Sequence, residues 1–128
     1  MNIDRKKILI IEDDNMINSM YKTRFEAEGF EVFVADNGGI GLELAKTEKP
    51  DIIILDVILP QLDGFSVLDQ IKKDKTTKNI QVIMLTNLGT EEDKEKGKAM
   101  GAFDYLVKAS LTPGQVSEKI KQALKILK

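Results

Sequence analysis

Ile52-Ile53-Ile54-Leu55-Asp56 is the stretch on which the fold turns. Four consecutive large apolar residues, three of them β-branched, leave no polar face for water. Such a run suits a strand buried on both faces, as in a parallel sheet covered by helices on each side. The run then stops on a carboxylate. Two other runs have the same form. Ile8-Leu9-Ile10-Ile11 leads into Glu12-Asp13-Asp14, and Val82-Ile83-Met84-Leu85 leads into Thr86. Phe30-Glu31-Val32-Phe33-Val34-Ala35 and Phe103-Asp104-Tyr105-Leu106-Val107 carry a charge within an apolar pattern. Sheet edges, where one side is less buried, accommodate that charge.

Helical patterns lie between these runs. Ile17, Tyr21 and Phe25 are spaced by four, with Met20 assigned to the same side, and Gly29 ends the segment. A second helix starts near Gly38, includes Leu42 to Ala45 and stops before Pro50. Phe65, Leu68 and Ile71 mark a third, and Val116, Ile120, Ala123, Leu124 and Leu127 form the stripe of the last. Thr112, Pro113 and Gln115 predict a capped start for that helix. The fourth, over residues 90–100, has a Thr90/Asp93 cap pattern but an almost wholly charged body. Its internal Gly97 costs roughly 1 kcal/mol against alanine. A helix with so little to bury is suited to movement or to cover by a partner.

The alternation βαβαβαβαβα predicts an α/β fold, a doubly wound five-stranded parallel sheet in a three-layer sandwich. Placing the two charged strands at the edges gives the order 2-1-3-4-5, the flavodoxin-like order. The 128 residues form one domain, 1–128, without repeats or linkers.

Composition excludes several chemistries. There is no cysteine and no histidine. The chain therefore has no thiol nucleophile, no imidazole base and no Cys/His zinc site, and it cannot be the phosphohistidine carrier of a relay. The 19 basic and 21 acidic residues leave a net charge of −2. That is no footprint for nucleic acid and no polybasic membrane patch. The short polar start and the absence of a membrane-length apolar run predict a cytoplasmic protein.

Ligand sites of open α/β sheets lie at the carboxyl ends of the strands. Here those ends carry Glu12-Asp13-Asp14, Asp56, Thr86 and Lys108. Any one polar residue could simply end a strand, and Asp14 reads as a helix cap. Together they are harder to dismiss, because clustered carboxylates repel and favour protonation. Glu12, Asp13 and Asp56 with Lys108 sum to −3 + 1 = −2, which a divalent cation would balance. All-oxygen ligands favour Mg²⁺, or Mn²⁺, over zinc. A carboxylate, a lysine, a hydroxyl and a hard cation are the parts of a phosphoryl-transfer site. Asp56, the single acid ending the central strand, is the candidate nucleophile, giving an aspartyl phosphate. Glu12 and Asp13 are better placed to hold metal.

These residues, with Asp56-Val57-Ile58-Leu59-Pro60-Gln61-Leu62-Asp63-Gly64, Gly101-Ala102 and Asp104-Tyr105-Leu106-Val107-Lys108, resemble the receiver domains of two-component response regulators, of the chemotaxis-receiver type. The resemblance runs from about Lys7 to Leu127. It implies that Asp56 accepts a phosphoryl group from a histidine kinase or phosphotransfer protein. It further implies Mg²⁺ on Asp13, Asp56 and the backbone carbonyl of Ile58, with Glu12 acting through bound water. Lys108 would pair with the phosphoryl group, Thr86 would move toward it, and Tyr105 would rotate inward in step. The responding surface, helix 4–strand 5–helix 5, would control a downstream protein or output domain, and is compatible with a phosphorylation-dependent homodimer. The module would modify itself and turn over no external metabolite. Asp63-Gly64 reads as a turn and cap, and Asp51 lies at the opposite end of strand three.

Three positions depart from the family pattern. Ala109 follows the lysine where a cis-proline is usual; a cis bond before alanine would cost about 2.5–4 kcal/mol, so a trans bond and a remodelled loop are expected. Asn87 replaces a small residue after the threonine. Ile58 and Leu88, two residues after Asp56 and Thr86, are apolar where the family positions hydrolytic water, which predicts a long-lived phosphoryl state. Other readings stay open at this point. An Asp-nucleophile phosphatase would carry Asp-x-Asp after strand one, which Glu12-Asp13-Asp14 does not match. A flavin carrier needs a phosphate loop that is not acidic, and an unphosphorylated pseudo-receiver would not need Asp56, Thr86 and Lys108 intact.

Overall fold

A computed structural model describes residues 5–126. Its strands are β1 (Lys7–Ile11), β2 (Glu31–Ala35), β3 (Ile52–Leu55), β4 (Gln81–Thr86) and β5 (Asp104–Val107). They form one sheet in the order β2-β1-β3-β4-β5, with every neighbouring pair parallel. The helices are α1 (Asn15–Ala27), α2 (Gly38–Glu48), α3 (Gly64–Lys73), α4 (Glu91–Ala99) and α5 (Pro113–Leu124), with a 3₁₀ turn at Lys108–Ser110. No helix of the described residues is long and apolar enough to cross a membrane.

Alternation along the strands builds two cores. Ile11, Leu55, Met84 and Tyr105 are paired in register across four strands and pack with Ala45, Val67, Leu68 and Ile71 of α2 and α3. Ile10, Ile54 and Ile83 form a row on the other face, against Tyr21 and Phe25 of α1 and Val116 and Ile120 of α5. The central β3 is buried throughout, whereas β2 and β5 are partly exposed, as their internal charges predict. Truncating a central residue such as Ile53 to alanine would cost about 2–5 kcal/mol.

The caps place the loops. Asp14 accepts from the Met16 and Ile17 amides, Asp63 from Ser66, and Thr112 from Gln115 in a complete capping box. At Thr90 the box is half formed. Its hydroxyl oxygen accepts from the Asp93 amide, while the Asp93 carboxylate takes the hydroxyl proton rather than a backbone N–H. Gly97 has a packing reason: a Cβ there would stand 2.8 Å from Cδ2 of the Tyr105 ring.

One expectation for the helices needs revision. Met20 is 46 % exposed and lies off the apolar face of α1. The polar Asn18 is buried instead, because it tethers the end of β1. Val116, Ile120 and Ala123 are buried in α5 as expected, Leu124 is half-buried, and Leu127 lies outside the described residues.

Candidate functional site

One residue beyond the apolar row, β1 and β3 run into Glu12 and Asp56. Sheet-type hydrogen bonds hold both backbones: the Glu12 amide donates to Ala35 O and the Asp56 amide to Ile11 O, each at 3.0 Å. The strand register therefore sets the two carboxylates side by side, both nearly buried. Asp13 is exposed beside them, and one carboxylate oxygen from each of the three lies within 4.8 Å of the others.

Lys108, at the end of β5, reaches across to this pair. Its ammonium lies 2.9 Å from Asp56 Oδ2 and also contacts Glu12 Oε1. Burial opposes its charge, but hydrogen bonds to Glu12 and Asp56 outweigh burial and raise its pKa above the ordinary lysine value. Burial also pushes the Glu12 carboxyl upward, a shift that Lys108 and the Asp14 amide oppose and the neighbouring Asp56 charge reinforces. The remaining acceptor sites are partly used: Glu12 Oε2 takes the Asp14 N–H at 3.0 Å, and Asp56 Oδ1 takes the Ile58 N–H at 3.2 Å.

Glu12, Asp13, Asp56, Thr86, Asn87 and Lys108 line one open cavity of about 270 Å³, with Ile58 at its wall. A larger groove of about 650 Å³ between α3 and α4 includes Phe65, Leu88 and Lys96 but none of the acid cluster, so the charged chemistry belongs to the smaller one. Thr86 is fully buried, and its Oγ1 accepts the Leu88 N–H at 3.3 Å. Tyr105 stands inward, 4 % exposed, with its hydroxyl donating to Leu88 O at 2.5 Å. Burial, reinforced by Asp93 and Asp56, pushes its phenol up to about 12. Leu88 thus joins the Thr86 hydroxyl to the Tyr105 hydroxyl through its own peptide groups.

The structure brings together Glu12, Asp13, Asp56, Ile58, Thr86 and Lys108, with Tyr105 behind them. The pair Ile58 and Leu88 is split: Ile58 is 60 % exposed at the cavity, whereas the Leu88 side chain packs toward the α3–α4 core. Asp51 accepts the Lys7 amide at 2.8 Å at the far edge of the sheet. The described residues contain no cis peptide bond, so Lys108–Ala109 is trans as expected.

Three contacts at the site were not read from the sequence. Asn18 Nδ2 donates to Glu12 O at 2.7 Å, a contact with no signal in the sequence. Gly64 is needed for close approach, since a Cβ there would lie 2.1 Å from Asp56 O. Asn87 Oδ1 accepts the Ala109 amide at 3.0 Å.

The profile of the response regulator receiver domain matches residues 8–121. Protein PilH of Pseudomonas aeruginosa is 43% identical over 104 residues, covering 80% of this chain and 84% of PilH. The alkaline phosphatase synthesis transcriptional regulatory protein PhoP of Bacillus subtilis is 38% identical over 120 residues, covering 94% of this chain and 49% of PhoP. The chain spans about half the length of several curated relatives it matches. A CheY-like receiver domain structure from Methanospirillum hungatei superposes with a TM-score of 0.88 at 31% identity, covering 95% of each chain. Sheet order, acid edge and these relationships converge, and the chain belongs to the response regulator receiver domains of two-component phosphorelay signalling.

Proposed function

We propose that Asp56 is the phosphoryl acceptor of this receiver. An Asp56 carboxylate oxygen attacks the phosphorus of the donor. An O–P bond forms as the bond from phosphorus to a histidine nitrogen of a kinase or phosphotransfer protein breaks, and the electron pair leaves with that nitrogen. The observation that carries this reading is the Lys108 ammonium shared between Asp56 and Glu12 at a nearly buried acidic edge. It keeps Asp56 oriented and supplies positive charge where phosphoryl oxygens arrive.

The three acids fit a hard divalent cation: oxygen donors only, close together, with a net charge of −2 after Lys108. Glu12, Asp13 and Asp56, with the Ile58 carbonyl, would hold Mg²⁺ or Mn²⁺. A cation held there would offset the negative charge of the phosphoryl oxygens. Thr86 accepts from Leu88, which leaves its own hydroxyl proton to donate to a phosphoryl oxygen. Movement of the Thr86 oxygen toward the phosphoryl group would stretch its contact with the Leu88 amide, a change felt at Tyr105 through the Leu88 carbonyl. The α4–β5–α5 surface reports the change.

The chain acts as one cytoplasmic receiver unit and turns over no external metabolite. PhoP is a transcriptional regulator about twice as long; here, contact with DNA would belong to an output domain or downstream protein. Incubation with phosphoramidate and Mg²⁺, followed by intact mass, tests the reading. One phosphoryl group is expected on the protein and none on Asp56→Asn, and equal uptake by both would refute it.

A further inference from the structure

The β4–β5 ladder ends at the pair Thr86↔Val107. One residue beyond this pair on β4 and two beyond it on β5, the sheet is continued by a side chain. Asn87 Oδ1 accepts the Ala109 N–H at 3.0 Å, across 22 residues of sequence. Lys108 therefore stands on a backbone held on both sides, by the last ladder pair at Val107 and by Asn87 at Ala109. The 3₁₀ turn that follows is closed by the Leu111 amide donating to Lys108 O at 3.3 Å.

This anchoring matters because Lys108 must place one ammonium on two carboxylates at the far side of the cavity. Its long flexible stem loses rotamer freedom in doing so. A loop free to shift would add backbone states to that loss. Asn87 is also the residue directly after Thr86 and lines the same cavity. It thus links the strand that presents the switch hydroxyl to the loop that presents the cation.

We infer that Asn87 is a positioning residue for phosphoryl transfer: its side-chain oxygen fixes the Ala109 amide and thereby the backbone from which Lys108 reaches Asp56. The role rests on the assignment of Asp56 as acceptor. Asn87 acts through Lys108, so its effect must depend on Lys108 being present.

A cycle of Asn87→Ala and Lys108→Ala tests this, with phosphorylation rates measured by intact mass using phosphoramidate and Mg²⁺. Amide hydrogen exchange at Ala109 is followed in the wild type and in Asn87→Ala. Because the hydrogen bond is solvent-accessible, Asn87→Ala is expected to slow the wild-type reaction about two- to fivefold. The same change is expected to have no further effect in the Lys108→Ala background, and Ala109 exchange is expected to accelerate. Equal slowing in both backgrounds, no slowing, or unchanged exchange at Ala109 would overturn the inference. A wild-type protein that takes up no phosphoryl group would instead overturn the functional reading on which the inference rests, whatever the Ala109 exchange.

Discussion

Replacing Lys108 by methionine probes what holds the acid edge together. Methionine preserves most of the stem and removes the ammonium, its charge and its donors together. The Lys108 side chain is 13 % exposed, and its partners Glu12 and Asp56 are 5 % and 7 % exposed. Removing one member of a buried ion pair costs about 3–5 kcal/mol, largely from the uncompensated charge left behind. Here the group opens on a solvent cavity, which places the expected loss nearer about 2–3 kcal/mol. With a urea slope of about 1.5–2 kcal/mol/M, the unfolding midpoint falls by roughly 1–2 M. The assay is urea unfolding followed by far-UV circular dichroism, without divalent metal. If the loss is electrostatic, deleting one of the two stranded carboxylates must relieve it. The double variant Lys108→Met/Glu12→Gln is therefore expected to recover most of the midpoint. A double variant no more stable than Lys108→Met would refute the charge argument and leave lost packing as the cause.

Gly64→Ala places a Cβ 2.1 Å from Asp56 O and 2.7 Å from Val57 Cα. A clash with backbone cannot be relieved by a rotamer, so a loss of about 2–4 kcal/mol in urea unfolding is expected. Gly39→Ala, which meets only Asn37 Oδ1 at 3.4 Å, serves as the neutral control. Glu28 contributes to the acid dependence of stability. Partial burial works against its charge, but contacts from Lys121, Ser117 and Arg24 hold its carboxyl down at about 2. Its folded pKa is below the unfolded value, so its stabilisation is present above about pH 4.5 and lost as pH falls toward about 2. Glu28→Gln should cost about 1–2 kcal/mol near pH 7 in urea unfolding, with the difference vanishing near pH 2. Ile58 stands at the cavity with an apolar side chain. Ile58→Asn, which can orient water, is expected to shorten the lifetime of the phosphorylated protein about tenfold, read by intact mass over time; unchanged or slower decay would count against the idea.

Strand order and burial were legible because they depend on local composition. Continuous β-branched runs name the inner strands, and Glu31 and Asp104 name the edges. The acid cluster was legible for a related reason: parallel strands all end at the same side, so residues terminating β1, β3, β4 and β5 must converge. What the sequence hid depends on contacts between distant segments. Met20 was assigned to the apolar side of α1 and Asn18 drew no notice, because i+4 spacing alone does not fix which way the helix faces. Leu88 was placed at the acceptor by its distance from Thr86, yet the turn out of β4 aims its side chain toward α3. The tie from Asn87 to Ala109 joins residues whose proximity only the β4–β5 pairing creates. Gly97 looked like a flaw in α4 until the ring of Tyr105 was seen to occupy the space of its missing side chain.

The central claim concerns one carboxylate, and chemical trapping tests it most directly. An acyl phosphate is reduced by borohydride to an alcohol, so a phosphorylated aspartate becomes homoserine and is located by peptide mass spectrometry. After incubation with phosphoramidate and Mg²⁺, homoserine is expected at position 56 alone, and to be absent when Mg²⁺ is chelated. Homoserine at Asp13 or another acid, or none at position 56 in protein that has gained a phosphoryl group, would contradict the account.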